Sequence, residues 1–151
     1  MLYNKHKYTI LVVDDAPENI DVLNEILNNN YNIKVALNGA KAIEIATSDS
    51  PPDIILLDIM MPVMDGYQVC KYLKSDTKTE NIPVIFVTSK DEVTDETTGF
   101  QVGAVDDITK PIVPELVKAR VSTHIELKYA KKELQLQNKE LLNTRDELKK
   151  H

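Results

Sequence analysis

Five residues in this chain are of types that can do chemistry together. Asp58 closes the apolar run Ile54-Ile55-Leu56-Leu57. Asp14 and Asp15 close a second run, Ile10-Leu11-Val12-Val13. Thr88 follows a third, Val84-Ile85-Phe86-Val87, and Lys110 ends a fourth, shorter one before Pro111. Each residue has a plainer reading alone. An Asp before Pro17 can cap a helix, Asp58 can open a turn, and Thr88 or Lys110 can simply end a strand. What joins them is position. If the strands are parallel in one sheet, all of these side chains meet at its carboxyl edge, where open α/β sheets bind ligands.

Three carboxylates in one notch repel one another, and a hard divalent cation relieves the repulsion. Mg²⁺ takes one or two carboxylates, keeps waters and accepts phosphate oxygens for the rest. The expected ligands are Asp15 and Asp58 directly, Asp14 partly through water, and the backbone carbonyl of Met60. A metal there would neutralise an incoming phosphoryl group. Lys110 adds a positive charge, Thr88 offers a hydroxyl, and Asp58 is placed to act as the nucleophile, since carboxylates form acyl phosphates.

The elements that must position these groups alternate along the chain. Strands are expected at 9–13, 31–36, 53–57, 84–87 and 105–109. Helices are expected from Pro17, with Ile20, Leu23, Ile26 and Leu27 inward, then over 40–48 with Ile43 and Ala46 inward, 66–75 and 91–102. The 91–102 helix has a thin apolar stripe and several threonines, so it should be the least firmly held. Alternation with short links implies a doubly wound parallel sheet covered on both faces. A flavodoxin-like (βα)5 order of 2-1-3-4-5 would place strands one and three side by side and bring Asp14, Asp15 and Asp58 together.

After Pro114 the chain contains no Gly or Pro, and Leu127, Leu134, Leu141 and Leu148 recur every seven residues. The spacing predicts an extended C-terminal helix with a weak coiled-coil seam, because the intervening core positions His124, Lys131, Asn138 and Arg145 are polar. Leu116, Val117 and Val121 should pack its first turns on the sheet. The expected division is a globular domain over 1–125 and a helical coiled-coil extension over 126–151. That extension would support a homodimer or lead to an output domain, since the chain ends mid-heptad at His151.

Composition narrows the function classes. The chain has 151 residues and is 42% hydrophobic, enough for one packed domain with an appendage. Residues 1–115 hold 9 Lys/Arg against 19 Asp/Glu, and residues 116–151 hold 9 against 5. An acidic body disfavours nucleic acid as a partner, and interleaved charges in the tail read as a solvated helix face. No segment has the length of a membrane span or a secretory signal. The single cysteine, Cys70, reads as a small buried hydrophobe. A cytoplasmic location is expected.

The motifs are similar to those of the receiver domain of bacterial two-component response regulators. The segments that carry the resemblance are Ile10–Asp15, Pro52–Pro62 with Met64-Asp65-Gly66, Pro83–Thr88, and Gly103-Ala104 through Lys110-Pro111, covering about residues 8–125 in order. The resemblance implies that Asp58 accepts a phosphoryl group from a phosphohistidine on a sensor histidine kinase or phosphotransfer protein. It implies that Asp14, Asp15 and the Met60 carbonyl hold Mg²⁺, and that Thr88 and Lys110 bind the phosphoryl group. It also implies a cis Lys110–Pro111 bond and a surface around the fourth helix and fifth strand that responds to phosphorylation. The module would be a phosphoacceptor rather than an enzyme with turnover.

One position departs from that pattern. Where the family usually carries Tyr or Phe, two residues after Val105, this chain has Asp107. A carboxylate resists burial in an apolar pocket, so Asp107 is expected to stay exposed to solvent. Met60 and Lys90, each two residues past Asp58 and Thr88, are poor at orienting water, which predicts slow loss of the phosphoryl group. An aspartyl-phosphate hydrolase is the main alternative class, but the adjacent first-strand Asp pair and the absence of a cap insertion disfavour it. A receiver-like module that dimerises without phosphorylation is a third.

Overall fold

A computed structural model describes residues 7–89 and 101–149 of the chain. The elements are β1 (Thr9–Val13), α1 (Pro17–Leu27), β2 (Asn32–Ala36), α2 (Gly39–Ala46), β3 (Ile54–Asp58), α3 (Gly66–Ser75), β4 (Val84–Ser89), β5 (Asp106–Lys110) and α4 (Pro114–Lys149). The helix expected over 91–102 lies outside the described residues apart from its last two, and so does Lys90.

The five strands form one parallel sheet in the order β2-β1-β3-β4-β5. The apolar runs explain why. A strand buried on both faces must be apolar at every position, and β3 is buried throughout. Alternation then sorts the side chains. Leu11, Val13, Ile55, Leu57, Val84 and Phe86 face the layer that contains Ala42, Val69, Cys70 and Leu73. Ile10, Val12, Ile54, Leu56, Ile85 and Val87 face the other layer, with Ile20, Leu23 and Leu27 of α1 and Val117, Val121 and Ile125 of α4. Each such fully buried aliphatic side chain contributes about 1.5–3 kcal/mol.

Local signals set the helix starts. Pro17 occupies the first turn of α1, where its missing N–H costs nothing. Asn38 accepts from the Lys41 N–H to open α2. Asp65 and Gln68 form a reciprocal capping box at the start of α3.

Several details differ from expectation. In α2, Ala42 and Ala46 are buried, while Ile43 packs only partly against the core. In α4, Leu116 is exposed, and Val117, Val121 and Ile125 carry the packing. A spacing of four keeps those three on one face of the helix. Asp107 is half-buried rather than open to solvent; it lies within β5, in register with Phe86 on the neighbouring strand. Cys70 behaves as expected: it is fully buried, its thiol donates to the Val102 carbonyl at 3.4 Å, and burial pushes its pKa up to about 11.

Candidate metal and phosphoryl site

The parallel register puts the predicted residues at one edge. Val13 pairs with Leu57, so the residues that follow them, Asp14 and Asp58, leave adjacent strands side by side. Asp58 pairs with Val87, which places Thr88 one step further along β4, opposite Thr109. Ser89 pairs with Lys110. Asp14, Asp58 and Thr88 are all buried, and Asp15 is exposed.

The carboxylates converge. One oxygen from each of Asp14, Asp15 and Asp58 lies within 4.8 Å of the others. Lys110 reaches into the same notch, with its Nζ 3.6 Å from Asp14 Oδ2 and 3.9 Å from Asp58 Oδ1. Asp14 is fixed by an N–H bond from Ala16 to its Oδ1 at 2.9 Å. The donor set is all oxygen and carries more negative charge than one lysine balances. That is the chemistry of a hard divalent cation such as Mg²⁺. Met60 sits on the exposed loop leaving β3, two residues after Asp58.

Helix α3 braces that loop. The Gly66 N–H donates to the Ile59 carbonyl at 2.8 Å. A Cβ at Gly66 would lie well inside van der Waals contact with the Asp58 carbonyl oxygen. Only glycine lets the helix start so close to Asp58. The same loop holds Val63 at φ 71°, a strained conformation for a β-branched residue. The Lys110–Pro111 bond is cis.

The chain matches the response regulator receiver domain family over residues 10–122. It belongs to that family. Relatives of this receiver domain include the probable cyclic di-GMP phosphodiesterase of Vibrio cholerae serotype O1. The two are 47% identical over 130 residues, which is 86% of this chain and 29% of that protein. The response regulator PleD of Caulobacter vibrioides is 45% identical over 113 residues, covering 74% of this chain and 25% of PleD. This receiver domain therefore spans less than a third of the length of either relative. Among solved structures, the signal receiver domain of a signal transduction histidine kinase from Syntrophus aciditrophicus superimposes with a TM-score of 0.72 at 32% identity. That match covers 79% of this chain and 90% of the other. Among the described residues, no helix is long and apolar enough to cross a membrane.

Two further polar clusters have no counterpart in the sequence reading. Asp106, at the start of β5, takes Arg120 Nη1 at 2.5 Å and His124 Nε2 at 2.9 Å, both from α4. Burial pushes the Asp106 carboxyl up, but the bonds from His124 and Arg120 outweigh it and hold the group below its ordinary range. Asp53, just before β3, accepts the Thr9 N–H at 2.7 Å and the Tyr129 hydroxyl. Tyr129 also stacks on Tyr8 with ring centroids 5.1 Å apart. Burial and the neighbouring Asp53 push the Tyr129 phenol well above its usual pKa. Spacing gave no hint of these pairs, because their partners come from different elements.

Proposed function

We propose that this receiver domain takes a phosphoryl group onto Asp58 from a sensor histidine kinase or a phosphotransfer protein. The observation that carries the reading is the meeting of Asp14, Asp15, Asp58 and Lys110 at one sheet edge. Asp14, Asp15, Asp58 and the Met60 carbonyl would hold Mg²⁺. The metal, when bound, supplies positive charge that screens the carboxylates and the incoming phosphoryl oxygens. An Asp58 carboxylate oxygen attacks phosphorus, and the donor imidazole leaves with the P–N bond electrons. Lys110 stabilises the charge carried by the transferred group, and the Thr88 hydroxyl donates to one of its oxygens. The acceptor is regenerated only slowly, because Met60 brings no group that orients water.

The readout proposed for this event is a shift of β5, the segment before it and α4, acting on an output domain or partner. Residues 1–125 form the switching unit and residues 126–151 the extension. His124, the first polar position of the heptad reading, is bound to Asp106 inside the chain and is not available to a seam. Exposed Leu134, Leu141 and Leu148 remain to pair with a second copy.

Incubation with acetyl phosphate and Mg²⁺ followed by intact-mass measurement tests the central step. One added phosphoryl group is expected, dependent on the metal, absent in Asp58→Asn, and decaying over minutes or longer. An unchanged mass with metal present, or full labelling of Asp58→Asn, would rule the reading out.

A further inference from the structure

A cleft of about 610 Å³ opens at the other end of the strands, between α4 and the segments that lead into β4 and β5. Its volume is in the range of small-molecule sites. Four lysines line it, Lys74, Lys128, Lys131 and Lys132, against one carboxylate, Glu80. This is an unusual concentration in a chain of net charge −6. The apolar contribution comes from Pro83, Val105 and Leu127. Leu127, Lys128 and Lys131 are three and four residues apart, so α4 turns one face toward the cleft.

The lysines are arranged, not scattered. Lys74 Nζ donates to the Ile82 carbonyl at 2.6 Å and the Glu80 carbonyl at 2.9 Å, which leaves one of its three donors unused by these bonds. Lys128 Nζ lies 4.0 Å from Asp53 Oδ1 and 5.2 Å from the centre of the Tyr129 ring. Lys132 Nζ lies 5.9 Å from the same ring. Burial draws the Lys74 and Lys128 pKa values down; Cys70 and Glu80 oppose this at Lys74 and Asp53 opposes it at Lys128, while the neighbouring lysines add smaller downward pushes. The cleft thus holds more positive charge than Glu80 and Asp53 balance, on a partly apolar base, and a compact polyanion would neutralise the excess.

We propose that this cleft binds a small anion bearing two or more phosphate charges. Its rim lysines contact the phosphate oxygens. Val105 and Leu127 offer a surface for an organic body where one is attached. The site does not depend on phosphoryl transfer, since Asp58 stands at the opposite end of β3 and the cleft lysines take no part in the acidic notch.

Calorimetric titration of the full chain with pyrophosphate and, separately, with ADP tests this. EDTA is included to keep both ligands away from any metal held by the acidic edge, and amide shifts of Val105 and Leu127 are followed by NMR. Both probes should bind and move those two amides. Tighter binding of ADP would identify an organic phosphate as the occupant, and equal binding an inorganic one. Lys131 and Lys132 are exposed, so K131E/K132E should fold normally by circular dichroism and weaken binding at least about tenfold. The milder K131Q/K132Q should weaken it less. The proposal falls if neither probe binds at millimolar concentration. It also falls if binding survives the charge reversal, or if the reversal changes only self-association, which would make the lysines a protein interface.

Discussion

Asp106 shows how much one carboxylate can organise away from the acidic notch. It holds Arg120 and His124 together and so clamps the start of β5 to α4. Its folded-state pKa is depressed. The clamp therefore contributes fully above the unfolded value, about 3.9, and is lost as pH falls through the lower folded value. Asp106→Asn should destabilise the fold by about 1–2 kcal/mol at neutral pH. Denaturant titrations across pH should show the gap to the parent protein closing below about pH 4. A gap that stays constant into acid would assign the loss to packing. Asp14, Asp58 and Thr88 were legible because each follows an apolar run, and strand ends are where a parallel sheet collects polar groups; Lys110 follows the mixed stretch Asp106-Asp107-Ile108-Thr109 and was placed by the alternation of elements. Asp106, Arg120 and His124 were not, since nothing in their spacing says that the start of a strand faces the middle of a helix.

At the scale of elements, the three central strands β1, β3 and β4 could be read from the sequence because burial on both faces leaves almost no polar position to blur them, whereas the edge strands β2 and β5 carry polar residues and rest on the alternation around them. The last helix misled in part. Its heptad leucines dominate the sequence, whereas its contact with the sheet runs through Val117, Val121 and Ile125. Two apolar stripes of different period share one helix, and only packing shows which is inner. Helix α3 bears on the acceptor through Gly66. Gly66→Ala would drive a methyl group into the Asp58 and Ile59 backbone, costing about 1–3 kcal/mol by overpacking. The expected result is a lower melting temperature together with slower labelling by acetyl phosphate. Labelling at the parental rate would mean that the loop after β3 can yield without moving the acceptor.

Across the whole molecule, α4 begins beside the acidic notch and passes the full height of the sheet. It is pinned near its midpoint by Tyr129 on Asp53. Beyond that pin, Leu134, Leu141 and Leu148 are 58%, 68% and 72% exposed, an apolar series left mostly uncovered among the described residues. If a second copy covers them, sedimentation should show association that grows with concentration, and Leu141→Lys should leave a monomer. Association unchanged by that substitution would move the contact elsewhere.

The Tyr129 pin also sets a direction. The roughly 20 residues that follow it carry the chain about 30 Å past the floor of the sheet, on the side remote from Asp58. On the proposed reading, a phosphoryl donor at Asp58 and any partner of the final turns of α4 would approach from opposite poles. Both could be engaged at once, with no need for either to withdraw.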